Sequence, residues 1–232
     1  MKRCGLLTAN IGDIQAVAFD IDGTLYKPLD LHARMMFHFF RFNQFFLQYG
    51  IVRSKIHDMG VLDDFYATQA EMLAKRIGCS VDTAKERLER IVYKGLSSLF
   101  ESIPLCAHVE ETFQAFHAAG LKIALMSDFP PEQKGGLWGL KKYCDVLLGT
   151  ETTGALKPSP HPFRVLAEKL GVAPERILYV GNSVKYDVVG AKNAGMKTAH
   201  FGPRWRNLLG MSCRKADISF CDYRQLRKIV LQ

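Results

Sequence analysis

Phe19-Asp20-Ile21-Asp22-Gly23-Thr24-Leu25 decides how the rest of the chain is read. The apolar run at 16–19 before it has the character of a buried strand and ends on Asp20. Two carboxylates two positions apart, just past such a strand, stand at the carboxyl edge of a sheet, where open α/β sheets bind ligands. In extended backbone Asp20 and Asp22 point the same way, and Gly23 permits the sharp turn that follows. One carboxylate of such a pair can attack or bind metal while the other handles protons. The competing reading is a pair of turn aspartates, since Asp-Gly is a common turn dipeptide.

Downstream, the pattern turns helical from 31 to about 99. The run 31–49 is dense in Phe (Phe37, Phe39, Phe40, Phe42, Phe45, Phe46) and lacks strand-like alternation. Residues 63–77 and 80–99 follow with apolar spacing of three to four, Gly78 closing the first and Ser80 able to cap the second. After Pro104 the texture changes. Helices are expected at 109–119, 162–170 and 184–194, closed by Gly120, Gly171 and Gly195, and strands at 122–126, 145–148, 177–180 and 197–201. Alternating helix and strand predicts an α/β fold, a Rossmann-like parallel sheet with helices on both faces. An all-helical insert of roughly 75 residues interrupts it after the first strand. The expected division is core 1–27, helical cap 28–103 and core 104–232.

Three later groups fall at predicted strand ends. Ser127 closes one strand. Lys157 precedes Pro158, which biases its backbone toward an extended perch. Gly181-Asn182-Ser183 closes another, with Asp187 five residues beyond Asn182. A hydroxyl, a cation and further oxygen ligands, added to the carboxylate pair, are what phosphoryl transfer requires.

The order DxDGT, Ser, Lys-Pro, Gly-x-x-x-x-x-Asp resembles the haloacid dehalogenase-like hydrolases, specifically members with a helical cap after the first strand. The stretch GLKKYCDVLLGTETTGALKPSPHPF is similar to that family between its second and third motifs. The resemblance covers about 13–201 and implies phosphate transfer through an aspartyl-phosphate, with Mg²⁺ as cofactor. It implies Asp20 as nucleophile and metal ligand. Asp22 would be the general acid and then base, its main-chain carbonyl also binding the metal. Ser127 and Lys157 would bind the phosphate, with Asp128, Gly23 and Thr24 beside it, and Asn182 and Asp187 would complete the metal site. Two departures stand out: Asp128 follows Ser127 where many members carry Asn, and Asn182 replaces the first acid of the metal motif. Asp128 faces either a substrate hydroxyl or amine, or solvent.

The substrate expected is a small phosphorylated metabolite. A phosphomutase of the same fold and a non-catalytic regulatory or binding protein are the alternatives. A dehalogenase would not need Asp22 or a metal. A phosphonate hydrolase would need a cap lysine, for which Lys55 and Lys75 are candidates. Neither HExxH nor a complete GxSxG is present, which argues against zinc and serine hydrolase chemistry. Residues 135–139 read as a flexible loop.

Of the 232 residues 48% are hydrophobic and 23% charged, with a net charge of +8. That composition excludes disorder and collagen. The charge favours anionic partners. From Phe201 to the end, seven basic residues stand against two acidic ones. Without a nucleic-acid reader motif, that reads as a solvated basic face ending in a surface helix at 223–231. The Phe-rich run is interrupted by polar residues and cannot span a bilayer; packing inside the cap and against the core is expected for it. Cys4, Cys79, Cys106, Cys144, Cys213 and Cys221 are scattered and read as reduced thiols. The short apolar start lacks a signal-peptide core, so a cytoplasmic location is expected.

Overall fold

The computed structural model describes residues 6–7, 11–100, 102–209 and 211–232. Their strands are β1 (Leu6–Leu7), β2 (Ala16–Asp20), β3 (Lys122–Ser127), β4 (Val146–Gly149), β5 (Ile177–Gly181), β6 (Lys197–Phe201) and β7 (Ile218–Phe220). They form one sheet in the order β1-β7-β6-β5-β2-β3-β4. All pairings are parallel except that of β1 on β7. From β2 the chain steps outward to β3 and β4, then crosses back to β5 on the other flank. The carboxyl ends of β2 and β5 therefore border the crevice where the strand order reverses, the usual ligand site of such sheets.

Every residue of β2 is buried, because helices cover both faces and a continuous apolar run is what such a strand needs. Val17 and Phe19 face one core, Ala16 and Ala18 the other. Phe19 stacks on Phe113 of α6 (Val109–Ala118) at 4.5 Å between ring centroids. On the opposite face the small alanines leave room for Phe163 of α7 (Pro160–Leu170), which meets Tyr179 edge-on at 4.8 Å.

Between β2 and β3 lie α1 (Pro28–Arg41), α2 (Asn43–His57), α3 (Phe65–Ile77), α4 (Val81–Arg87), a π-helical turn Leu88–Tyr93 and α5 (Ser97–Phe100). Asp64 caps α3 by accepting from the Ala67 N–H, Ser80 caps α4 by accepting from Thr83, and left-handed Gly78 ends α3. The insert's two ends meet where Tyr26 bridges Leu105 and the Cys106 N–H donates to the Leu25 carbonyl at 2.7 Å.

Several local expectations change. The run 31–49 is two helices that part at Phe42, whose φ of −124° and ψ of 29° are not helical. Only the second is packed inside: α2 buries Phe45, Tyr49, Val52, Arg53 and Ile56, while α1 buries nothing and leaves Phe37 77% exposed. Residues 80–99 are likewise broken. Lys94 N–H reaches back five residues to the Glu89 carbonyl, and a side chain at Gly95 would strike the Ile91 carbonyl oxygen at 2.5 Å. The helix expected at 184–194 opens as a π turn, Val184–Val189, before α8 (Gly190–Asn193). Residues 135–139 are not an open loop, since Leu137 is buried, as is Leu140 just beyond. Strand β7 and α9 (Arg204–Leu208) had no expectation.

α10 (Tyr223–Val230) buries Tyr223 and Leu226 and turns Arg224 and Lys228 to solvent. Cys79, Cys106, Cys144 and Cys213 are free thiols, and Cys4 lies outside the described residues. Among the described residues no helix is long and apolar enough to cross a membrane.

Candidate active site

Asp20 ends β2 with its side chain turned into the crevice and 5% exposed. Its Oδ2 accepts from Thr24 Oγ1 at 2.7 Å and its Oδ1 from Lys157 Nζ at 2.6 Å. The same ammonium donates to Asp187 Oδ1 at 2.7 Å, so one buried cation spans two carboxylates. The second Asp187 oxygen accepts from the Ser183 N–H at 2.9 Å. This arrangement requires Gly181 at the end of β5, because a Cβ there would lie 2.4 Å from the Asp187 side chain. Burial pushes the Asp20 carboxyl up to about 7, against the pull of Lys157 and with a further push from Asp187 and Asp22. Burial also opposes the Lys157 charge, but Asp187 and Asp20 outweigh it and keep the ammonium protonated. The Lys157–Pro158 peptide bond is cis.

Asp22 is held differently. Its Oδ1 accepts from Tyr26 Oη at 2.5 Å and Lys134 Nζ at 2.7 Å, and its Oδ2 from Ser127 Oγ at 2.6 Å. Burial works to raise its pKa, yet Lys134 and the hydroxyl donors prevail and hold it below the usual carboxylate range.

Asp20, Asp22, Asp128, Lys157, Asn182 and Asp187 share the lining of one cavity of about 190 Å³, together with Phe129, Ser183 and Tyr186. Ser127 and Thr24, both fully buried, support Asp22 and Asp20 from behind. Gly23 lies under the Asn182 amide: its φ is +86°, and a Cβ would come within 2.3 Å of Asn182 Nδ2. Asp128 faces neighbours of its own chain. Its Oδ1 accepts from Thr150 Oγ1 at 2.8 Å and the Lys157 N–H at 3.2 Å, and His57 Nε2 stands 3.8 Å from its Oδ2.

The insert reaches this cavity through α2. His57 donates from Nδ1 to the Lys157 carbonyl at 2.5 Å and packs on the Tyr186 ring, and burial lowers its pKa. One helical turn earlier, Arg53 pairs with buried Glu151. Sequence reasoning missed Tyr26, Arg53, His57, Lys134 and Glu151. The spacing of Arg53 and His57 on one face of a helix was the only available signal. Lys55 and Lys75 are exposed and do not line the cavity.

The donors at Asp20, Asp187, Asn182 and the Asp22 carbonyl are all oxygen, which suits a hard divalent cation. Among the described residues no three His, Cys, Asp or Glu side chains gather at ligating range, and Lys157 occupies the space between Asp20 and Asp187. Four carboxylates, Asp20, Asp22, Asp128 and Asp187, nevertheless line this cavity, and two ammonium groups, Lys157 and Lys134, pair with three of them. A cation fits that imbalance. Chemically, the cavity combines a carboxylate of a kind that can attack, a fixed cation and a second carboxylate of a kind that can carry a proton.

A model of the haloacid dehalogenase-like hydrolases matches residues 14–195. "Pyrophosphatase PpaX" of Halalkalibacterium halodurans is 28% identical over 197 residues, 82% of this chain and 84% of its own length. A phosphoglycolate phosphatase of Shigella dysenteriae is 30% identical over 200 residues, 79% of each chain. Among solved structures, a HAD phosphatase from Thermococcus onnurineus superposes with a TM-score of 0.62 at 25% identity, covering 94% of this chain and 98% of that one.

Proposed function

The chain belongs to the haloacid dehalogenase-like hydrolases, and from that premise we propose a Mg²⁺-dependent phosphatase that hydrolyses small phosphate monoesters through an aspartyl-phosphate. The observation that carries this reading is Lys157 spanning Asp20 and Asp187 beside Asp22, all in one cavity at the strand-order reversal.

In the first half-reaction an Asp20 oxygen attacks phosphorus and the ester P–O bond breaks, while Asp22 protonates the departing oxygen. In the second half-reaction Asp22 takes a proton from water, whose oxygen attacks phosphorus and frees Asp20. Ser127 turns from Asp22 to a phosphate oxygen, and Asp128 and the turn at Gly23 and Thr24 shape the phosphate pocket. Lys157 offsets charge on the nucleophile and the transferring group. Asp20, Asp187, Asn182 and the Asp22 carbonyl would hold Mg²⁺, which supplies charge neutralisation where two anions must meet. The asparagine gives this site one negative charge fewer than an acid would.

The helices of 28–103 act as a cap on a core of 1–27 and 104–232, and cap side chains select the substrate. The named relatives act on pyrophosphate and phosphoglycolate, which directs substrate screening to small phosphorylated metabolites. The free thiols fit a reducing, cytoplasmic setting.

The test is p-nitrophenyl phosphate hydrolysis with and without Mg²⁺, beside Asp20→Asn. Metal-dependent turnover that the substitution abolishes supports the reading. If wild type shows neither turnover nor Mg²⁺-dependent binding of beryllium fluoride, the protein is a non-catalytic member of its family.

A further inference from the structure

Lys134 is a buried ammonium for which the reaction above has no use. It ends the 3-10 turn Pro131–Lys134, which follows β3. Its side chain is 1% exposed, and its Nζ lies 2.7 Å from Asp22 Oδ1 and 3.9 Å from the Phe100 ring centroid. Taking an ammonium out of water costs several kcal/mol unless it is well paired, and among the described residues its one carboxylate partner is Asp22. The turn that carries it is anchored to the insert, since the neighbouring Gln133 donates from Nε2 to the carbonyls of Val92 at 2.6 Å and Tyr93 at 3.0 Å.

The donors to Asp22 are split between its oxygens: Lys134 and Tyr26 hold Oδ1, Ser127 holds Oδ2. Once Ser127 turns to a phosphate, Oδ2 is released and Oδ1 stays clamped. We propose that Lys134 is the positioning residue for proton transfer: it fixes Asp22 through Oδ1 so that Oδ2 alone serves as the acid–base oxygen. The proton that Oδ2 gives to the leaving alcohol is returned to it by the attacking water, so the cycle balances. This inference rests on the reading of Asp22 as acid and base.

p-Nitrophenolate leaves without needing a proton, whereas an alkoxide needs one, so the two ester types separate Asp22 positioning from general damage. Rapid-mixing kinetics with Mg²⁺ would compare wild type, Lys134→Met and Asp22→Asn on p-nitrophenyl phosphate and on an alkyl phosphate that wild type hydrolyses. In Lys134→Met the first equivalent of p-nitrophenolate should appear as a burst within a few-fold of the wild-type rate. Steady turnover of p-nitrophenyl phosphate should fall about 100-fold, with its KM falling alongside because the second step then limits, and kcat on the alkyl ester should also fall about 100-fold. Asp22→Asn should show the same pattern more strongly. Lys134→Arg, which keeps a cation but displaces it, should recover part of the alkyl-ester activity, and it serves as the working variant if the methionine protein does not stay folded. If Asp22→Asn keeps the burst while the Lys134 variants lose burst and both turnovers in equal proportion, Lys134 is merely structural and the proposal fails. If Asp22→Asn slows both esters equally, the acid–base reading of Asp22 fails first and carries the proposal with it.

Discussion

Two corners of the same cavity each hold an aspartate of the DxD pair against a buried lysine, and they do so in opposite ways. At the Asp20 corner one ammonium serves two carboxylates, and burial leaves the Asp20 pKa raised to about 7. At the Asp22 corner one carboxylate collects an ammonium and two hydroxyls, and its pKa falls. Depth alone does not decide the protonation state of a buried acid; the ratio of donors to oxygens does. The first corner has one ammonium for two carboxylates, and Lys157 fills the space between them. The second gives its one carboxylate three donors, and is tied to the insert through Gln133 and Phe100.

The largest effect that bears on this contrast is expected from Lys157→Met. It leaves two buried carboxylates facing each other, so unfolding in urea should report a loss of about 3–5 kcal/mol and turnover should vanish. Unchanged stability would mean that the lysine is not what balances the corner.

Gly181→Ala acts on the same corner from below, pushing a methyl into Asp187. Overpacking of that kind costs about 1–3 kcal/mol. Mg²⁺ affinity measured by calorimetry should fall with it, whereas the Asp22 corner, which Gly181 does not touch, should keep its contacts.

Tyr26→Phe removes one of the three donors to Asp22 and leaves the other two in place, so a loss of about 1 kcal/mol is expected in the same denaturation assay. A loss as large as that of Lys157→Met would show that the donors of this corner act as a single unit.

The smallest effect is expected at a carboxylate far from the cavity. Asp217 accepts from the Thr198 N–H and hydroxyl and from Lys192, and these contacts hold its pKa below the usual carboxylate range despite some burial. A depressed folded pKa gives stability that is present above the unfolded value near 4 and is lost as pH falls through the folded value. Asp217→Asn should therefore be less stable than wild type by under about 1 kcal/mol at pH 6, and the gap should close between about pH 5 and pH 2. A gap that persists at pH 2 would assign the effect to the hydrogen bonds and not to the charge.

The Asp20 corner was legible in the sequence because each member follows a strand: Asp20 follows an apolar run, Lys157 precedes a proline, and Asp187 stands at a short fixed distance from a strand-ending glycine. The Asp22 corner was half hidden. Lys134 sits in Glu-Gln-Lys-Gly-Gly, a context that reads as surface loop, and it is the tertiary packing, with the Phe100 and Phe129 rings beside its ammonium, that makes it an interior residue. Tyr26 looked like the next apolar residue after Leu25, and nothing local announced that its hydroxyl turns back to Asp22. The insert was legible as helical, but its break at Phe42 was not, because an aromatic residue carries no stop signal. Nor does apolar periodicity say which of two adjacent Phe-rich helices will be buried, and here α2 buries five side chains while α1 is only partly covered, through Leu31 and Met35. Strand β7 was missed for its length: three residues show too little of a period to separate a strand from a loop.

The bridge between Tyr26 and Leu105, with the Cys106 N–H on the Leu25 carbonyl, brings the insert's entry and exit together at one point. A segment closed at its base by the core is a loop whose ends are already paid for. Doubling the length of such a loop adds only about 0.6 kcal/mol of closure entropy. This doorway therefore lets evolution lengthen, shorten or exchange the insert as a cassette while the sheet beneath it keeps its register and the cavity at the strand ends is not rebuilt.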